Sequence, residues 1–102
     1  MDQRREQLQA ILEQCAGNDH VYFQPPENVK MQYPAIVYDR ALSNTQFADN
    51  APYRRMKRYT VTVIDQDPDS PIPDKVADLP MCTHSRSYAV KQLHHDVFDV
   101  YF

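Results

Sequence analysis

The segment from Val61 to Val76, VTVIDQDPDSPIPDKV, decides how this chain is read. Three carboxylates, Asp65, Asp67 and Asp69, fall at alternate positions behind an apolar run, and two prolines, Pro71 and Pro73, follow. Either the carboxylates gather a divalent cation for hydrolytic chemistry, or the segment is a junction where a strand stops and a helix starts. Alternate side chains of a strand share a face but stand roughly 6 to 7 Å apart, too wide for one small ion unless the chain bends. The D-x-D-x-D opening also resembles a calcium loop. Ser70, however, occupies the place of its turning glycine, Pro71 follows, and Val76 stands where its bidentate glutamate belongs.

The junction reading accounts for more of the same residues. Pro68 breaks the strand, Ser70 serves as a helix N-cap, and Pro71 suits the first helical position with its fixed φ and no donor to lose. Pro73 still lies within the first turn, and Asp74 sets a negative charge near the positive helix end. Ser70 and Pro71 are therefore read as a structural helix cap, with no metal ligand assigned. A small metal-dependent enzyme built on Asp65, Asp67 and Asp69 remains the competing reading from another class.

On either side of this segment the pattern extends. Residues 56 to 65 alternate, with Tyr59, Val61 and Val63 on one face and Arg58, Thr60, Thr62 and Ile64 on the other, which marks the strongest strand. Ile72, Val76 and Leu79 define a short helix ended by Pro80. Residues 84 to 93 alternate again, with His84, Arg86, Tyr88 and Val90 on one face. A turn near 93 to 95 then leads to a terminal strand over 96 to 102. Upstream, Leu8, Ile11, Leu12 and Cys15 make one apolar stripe, predicting a helix over 3 to 16, capped by Asp2 and followed by Gly17. The opposite face, Gln3, Arg5, Glu6, Gln9 and Glu13, should meet solvent or a polar partner. Residues 20 to 24 form a short strand stopped by Pro25 and Pro26, and residues 35 to 42, AIVYDRAL, another that is central in its first half.

The order α-β-β-β-α-β-β implies an α+β fold: a two-layer sandwich with a mainly antiparallel sheet of about five strands and two helices on one face. At 102 residues a single domain is expected. With 42% hydrophobic and 25% charged residues, the chain has a globular composition, not that of a disordered segment. The net charge of -3 argues against general affinity for nucleic acid. No apolar run approaches the roughly 20 residues of a membrane span, and the N-terminus is too polar for a secretory signal, so a cytoplasmic setting is expected. One glycine beside eight prolines nearly excludes a glycine-rich phosphate loop, and implies that positive-φ turns are rare or made by Asn and Asp.

Several residues invite a site reading. Cys15 and Cys82 are read as reduced, packed thiols. His94, His95 and Asp96 could join His84 or Cys82 around zinc, but adjacent His94 and His95 point to opposite sides if extended, and no metal-ligand spacing supports them, so turn histidines are preferred. No Ser-His-Asp order or nucleophile elbow appears. Arg54, Arg55, Lys57 and Arg58, flanked by Tyr53 and Tyr59, form a cationic run behind an irregular stretch, SNTQFADNAPYRR, at 43 to 55. Such a run is a solvated edge or an interaction surface, with protein partners favoured over nucleic acid. The expected interface residues are Phe47, Tyr53, Arg54, Arg55, Lys57 and Arg58.

Three blocks, HVYFQPPENVKMQYPAIVYDR, YTVTVIDQDPDSPIPDKV and the closing HHDVFDVYF, are similar to small proteins from the structural gene clusters of long-tailed bacteriophages. The pattern covers nearly the whole chain and resembles the tail terminator, or tail-to-head joining, group. The resemblance implies a virion structural protein that caps the tail tube as a ring, usually a hexamer, stops its polymerisation and presents a surface to a head completion protein. It implies no catalytic residue, cofactor or membrane, and places the protein at the head-proximal end of the tail after assembly in the bacterial cytoplasm. At 102 residues the chain is compact for a terminator, and another connector or head completion role stays open.

Overall fold

The computed structural model describes residues 3–25, 30–41 and 57–102. Helix α1 (Gln3–Ala16) is followed by strands β1 (Val21–Phe23), β2 (Ala35–Arg40) and β3 (Arg58–Asp65), helix α2 (Ile72–Ala77), and strands β4 (Cys82–Val90) and β5 (Leu93–Tyr101). This is the expected α-β-β-β-α-β-β order of an α+β fold. The strands form one mixed sheet in the order β1-β2-β3-β5-β4, in which β1 runs parallel to β2 and every other pair is antiparallel. Because β5 lies between β3 and β4, α2 carries the chain across it.

The core lies between the helices and one sheet face. Leu8, Leu12 and Cys15 of α1 and Ile72 and Val76 of α2 meet Val21, Ile36, Tyr38, Tyr59, Val61, Val63, Phe98 and Val100. Period 3.6 on the helices and period 2 on the strands thus converge on one apolar layer. Tyr38 carries a polar tip into that layer: its hydroxyl donates to Gln9 Oε1 and accepts from Arg5 Nη1 at 3.3 Å. Arg5 also lies 4.8 Å from the Phe23 ring centre. The polar side of α1 therefore has a protein partner at its Arg5 and Gln9 positions. Gly17 follows α1 with φ +73, the left-handed end its place predicts, and its N–H reaches Glu13 O at 2.9 Å. The expected Asp2 cap lies outside the described residues.

Two local expectations are corrected. The final turn is Lys91–Gln92, not residues 93 to 95, and both residues have positive φ, 51 and 68. This is the twist a two-residue hairpin loop requires, although neither residue is Asn, Asp or Gly. His94 and His95 are consequently strand residues. The other non-glycine positive-φ positions described, Gln24 and Met81, with φ 44 and 59, likewise carry neither Asn nor Asp. Second, β4 has a register shift between His84 and Arg86, with His84 opposite Phe98 and Arg86 opposite Val97. This bulge puts His84 on the helix-facing side and Arg86, Tyr88 and Val90 on the other, so the four do not share a face.

Candidate interaction surface

The acidic junction is built from short-range hydrogen bonds. Asp65 Oδ1 accepts from the Asp67 N–H at 3.0 Å, Asp67 Oδ1 from the Asp69 N–H at 2.9 Å, and Ser70 Oγ from the Ile72 N–H at 3.3 Å. Asp65, Asp67 and Ser70 thus each perform the same i to i+2 capture, which folds the strand end into the helix start. The helix boundary falls one residue later than expected. Pro71 is the N-cap, with φ -77 and ψ -10, and Ser70 supports the turn from just outside. Among the described residues, no group of three His, Cys, Asp or Glu side chains is placed to hold a metal ion.

The cationic run is only partly described: Phe47, Tyr53, Arg54 and Arg55 lie outside the described residues. Lys57 continues the β3–β5 ladder through reciprocal backbone bonds with Phe102, at 3.0 and 2.9 Å. Arg58 Nη2 lies 3.3 Å from Asp99 Oδ1, a cross-strand ion pair on the sheet face away from the helices. The arginine is 32% exposed and the aspartate 27%, so the pair is half-buried. Arg58 is thereby tied to the sheet, while Lys57 is anchored by its main chain.

The β4–β5 hairpin gathers side chains that linear reading kept apart. On the open face Tyr88 and His95 stack with ring centres 4.7 Å apart and planes 10° from parallel, and the Arg86 guanidinium lies 5.6 Å from the Tyr88 ring centre. On the helix-facing side, Ser87 donates to Asp96 Oδ1, and His84 Nε2 sits 2.9 Å from Ser87 Oγ and 3.5 Å from Asp96 Oδ1. Ser, His and Asp do meet here, but both oxygens converge on the same ring nitrogen. A catalytic triad needs the carboxylate on the other nitrogen, holding the imidazole as a base toward serine. Here the serine proton is directed to the carboxylate, and the arrangement pins the hairpin strands together. The bulge that aligns His84 with Ser87 has no sequence signal, so sequence patterning does not show this cluster.

Pro68, Ser87, Tyr88, Ala89, His94, His95 and Asp96 line a groove of about 360 Å³ beside the hairpin. A smaller apolar hollow of about 40 Å³ lies among Leu8, Ile11, Leu79, Pro80, Val100 and Phe102. Cys15 and Cys82 are both free. Burial pushes both thiols above their ordinary range, and the Asp99 carboxylate adds to the effect at Cys82. Such thiols are poor nucleophiles near neutral pH. No described helix is long and apolar enough to cross a membrane. Comparison with family models, with curated proteins and with solved structures returns no match.

Proposed function

We propose that this chain is a virion structural protein of the tail terminator kind, acting through surfaces as a ring that caps a phage tail tube and offers a face to a head completion protein. The observation that carries the reading is the order of elements. An N-terminal helix, an extended strand, a long connection, a second strand, a short helix and a C-terminal hairpin are the features on which the sequence resemblance rests. The described residues adopt that order. The disposition of the chemically active side chains supports it. Asp65, Asp67 and Ser70 accept backbone N–H groups, and Ser87 is bound to Asp96, so these groups are engaged in holding the chain. The β4–β5 hairpin, where Arg86, Tyr88 and Val90 are exposed on the sheet face away from the helices, is left for contact with neighbours.

A ring needs two different patches that meet on adjacent copies. The segment from 43 to 58, with Phe47, Tyr53, Arg54, Arg55, Lys57 and Arg58, is proposed as one of them, facing the tube protein or the next subunit. Removal of residues 45 to 52 should abolish ring or tail assembly in electron micrographs while the purified chain keeps its circular dichroism spectrum and cooperative unfolding. Normal tails from that deletion would overturn the assignment. Binding to filled heads, with none to tail tubes, would move the protein to the head completion side of the joint.

A further inference from the structure

We infer that the outer edge of β4, from Arg86 to Val90, is a docking strand for an extended segment of another protein, added to the sheet by main-chain pairing, with apolar side chains over Tyr88 and Val90 and a carboxylate at Arg86. This inference does not depend on the phage assignment. β4 ends the sheet order, and every residue from Thr83 to Val90 is exposed, so its outer side is open to solvent. The bulge confines irregularity to the stretch before Arg86, and from there to the turn the ladder with β5 is regular. In a hairpin closed by a two-residue turn, Val90 and Leu93 exchange hydrogen bonds, as do alternate pairs below them. The N–H and C=O groups of Ala89 and Ser87 therefore point outward and form the template.

Side chains along this edge define what it takes. β4 carries no carboxylate. Arg86 and Lys91 have no ion-pair partner among the described residues. Arg86 is already steered over the Tyr88 ring, which is itself stacked on His95. Tyr88 is 42% exposed and Val90 50%, and both lie on the Arg86 side. An incoming strand alternates its side chains between faces. Those that share the open face meet Val90, Tyr88 and Arg86 in turn, which calls for two apolar residues and then an acidic one. Those between fall beside Ser87 and Ala89, at the rim of the groove that these residues line with Pro68. Short polar residues suit them. Natural edge strands are usually blunted by proline, by charge or by a bulge; in β4 the bulge and the one arginine fall at the Arg86 end, and Ser87 to Val90 carries none of these devices. Strand addition of this form obtains affinity from the main chain and selectivity from alternate side chains.

The test uses the full chain and a capped heptapeptide, TVTVTET, which presents valine, valine and glutamate on one face, with TVTVTKT as its counterpart. Titration followed by amide hydrogen exchange should slow exchange at Ser87 and Ala89 with TVTVTET, and Arg86→Glu should weaken binding by about tenfold or more. Ala89→Pro removes the outward donor and should abolish binding. Ala89→Val, which keeps the donor, should bind as the parent does, and this distinguishes a lost donor from a disturbed hairpin. Absence of protection at Ser87 and Ala89, equal binding of TVTVTKT, or retained binding by Ala89→Pro would each overturn the inference.

Discussion

At the scale of single residues, Asp65, Asp67 and Ser70 show how a motif that suggests a ligand set becomes punctuation. Each accepts a backbone N–H two residues ahead, so the carboxylate spacing that looks like metal chemistry is the repeat of the turn itself. The proline positions made this legible in the sequence. Other residues act only through burial. Cys15, Cys82 and Tyr38 all have raised pKa values, in each case chiefly because burial disfavours the anion. A raised folded pKa means that the unfolded chain releases these protons first as pH climbs. The stability tied to the thiols is thus complete below their ordinary value of 9.0 and is lost as pH rises through the folded values. Tyr38 adds to the loss from its ordinary value of 10.0 upward. The urea midpoint should hold level between about pH 7 and 8.5 and fall above about pH 9. The double variant Cys15→Ser, Cys82→Ser should flatten the first part of that fall. An unchanged alkaline slope in that variant would exclude the thiols as its source.

At the scale of elements, legibility followed periodicity. The stripe of α1 and the alternation of β3 are long enough to fix both element and face, and Leu8, Leu12, Cys15, Tyr59, Val61 and Val63, which they name, all lie in the core. Boundaries set by a single turn were not. Lys91–Gln92 adopts two positive φ angles without the residues that favour them, so the sequence pattern places the turn about two residues late and assigns His94 and His95 to it. The bulge between His84 and Arg86 shifts which side chains share a face while leaving the sequence alternation unbroken. Consequently the Tyr88–His95 stack and the Ser87–Asp96–His84 contacts, both of which depend on strand register, were not visible in the sequence. The turn also supplies a test. Left-handed conformation costs a non-glycine residue on the order of 1–2 kcal/mol, and Asn–Gly suits this turn geometry. Replacing Lys91–Gln92 by Asn–Gly should therefore stabilise the chain by about 1 kcal/mol, read as a higher urea midpoint with an unchanged slope. Loss of stability would mean that the native turn side chains make contacts worth more than the backbone strain.

At the scale of the whole molecule, packing is uneven across the sheet, and the unevenness coincides with the proposed contact surface. β2, β3 and the second half of β5 supply Ile36, Tyr38, Tyr59, Val61, Val63, Phe98 and Val100 to the core, all essentially inaccessible. β4 from Thr83 onward supplies none and is held by its ladder to β5 and by the Ser87–Asp96 and Tyr88–His95 contacts. Elements with few buried apolar contacts open at a lower free energy than the global unfolding transition, and those at the centre exchange only through it. Native-state hydrogen exchange should accordingly place the amides of Val61, Val63 and Phe98 at the global limit. Those of Tyr88 and Val90, which are bonded only to β5, should exchange roughly a hundredfold or more faster, through opening of the hairpin. Ser87→Ala removes the hydroxyl that joins the Asp96 carboxylate to His84, and should speed exchange at Tyr88 and Val90 further while leaving Val61 unchanged. Exchange at Tyr88 and Val90 as slow as at Val61 would make the hairpin part of the global folding unit. A docking strand on β4 would then slow the hairpin amides and those of Val61 together, whereas on a separately opening hairpin it slows Tyr88, Val90, Ser87 and Ala89 ahead of Val61.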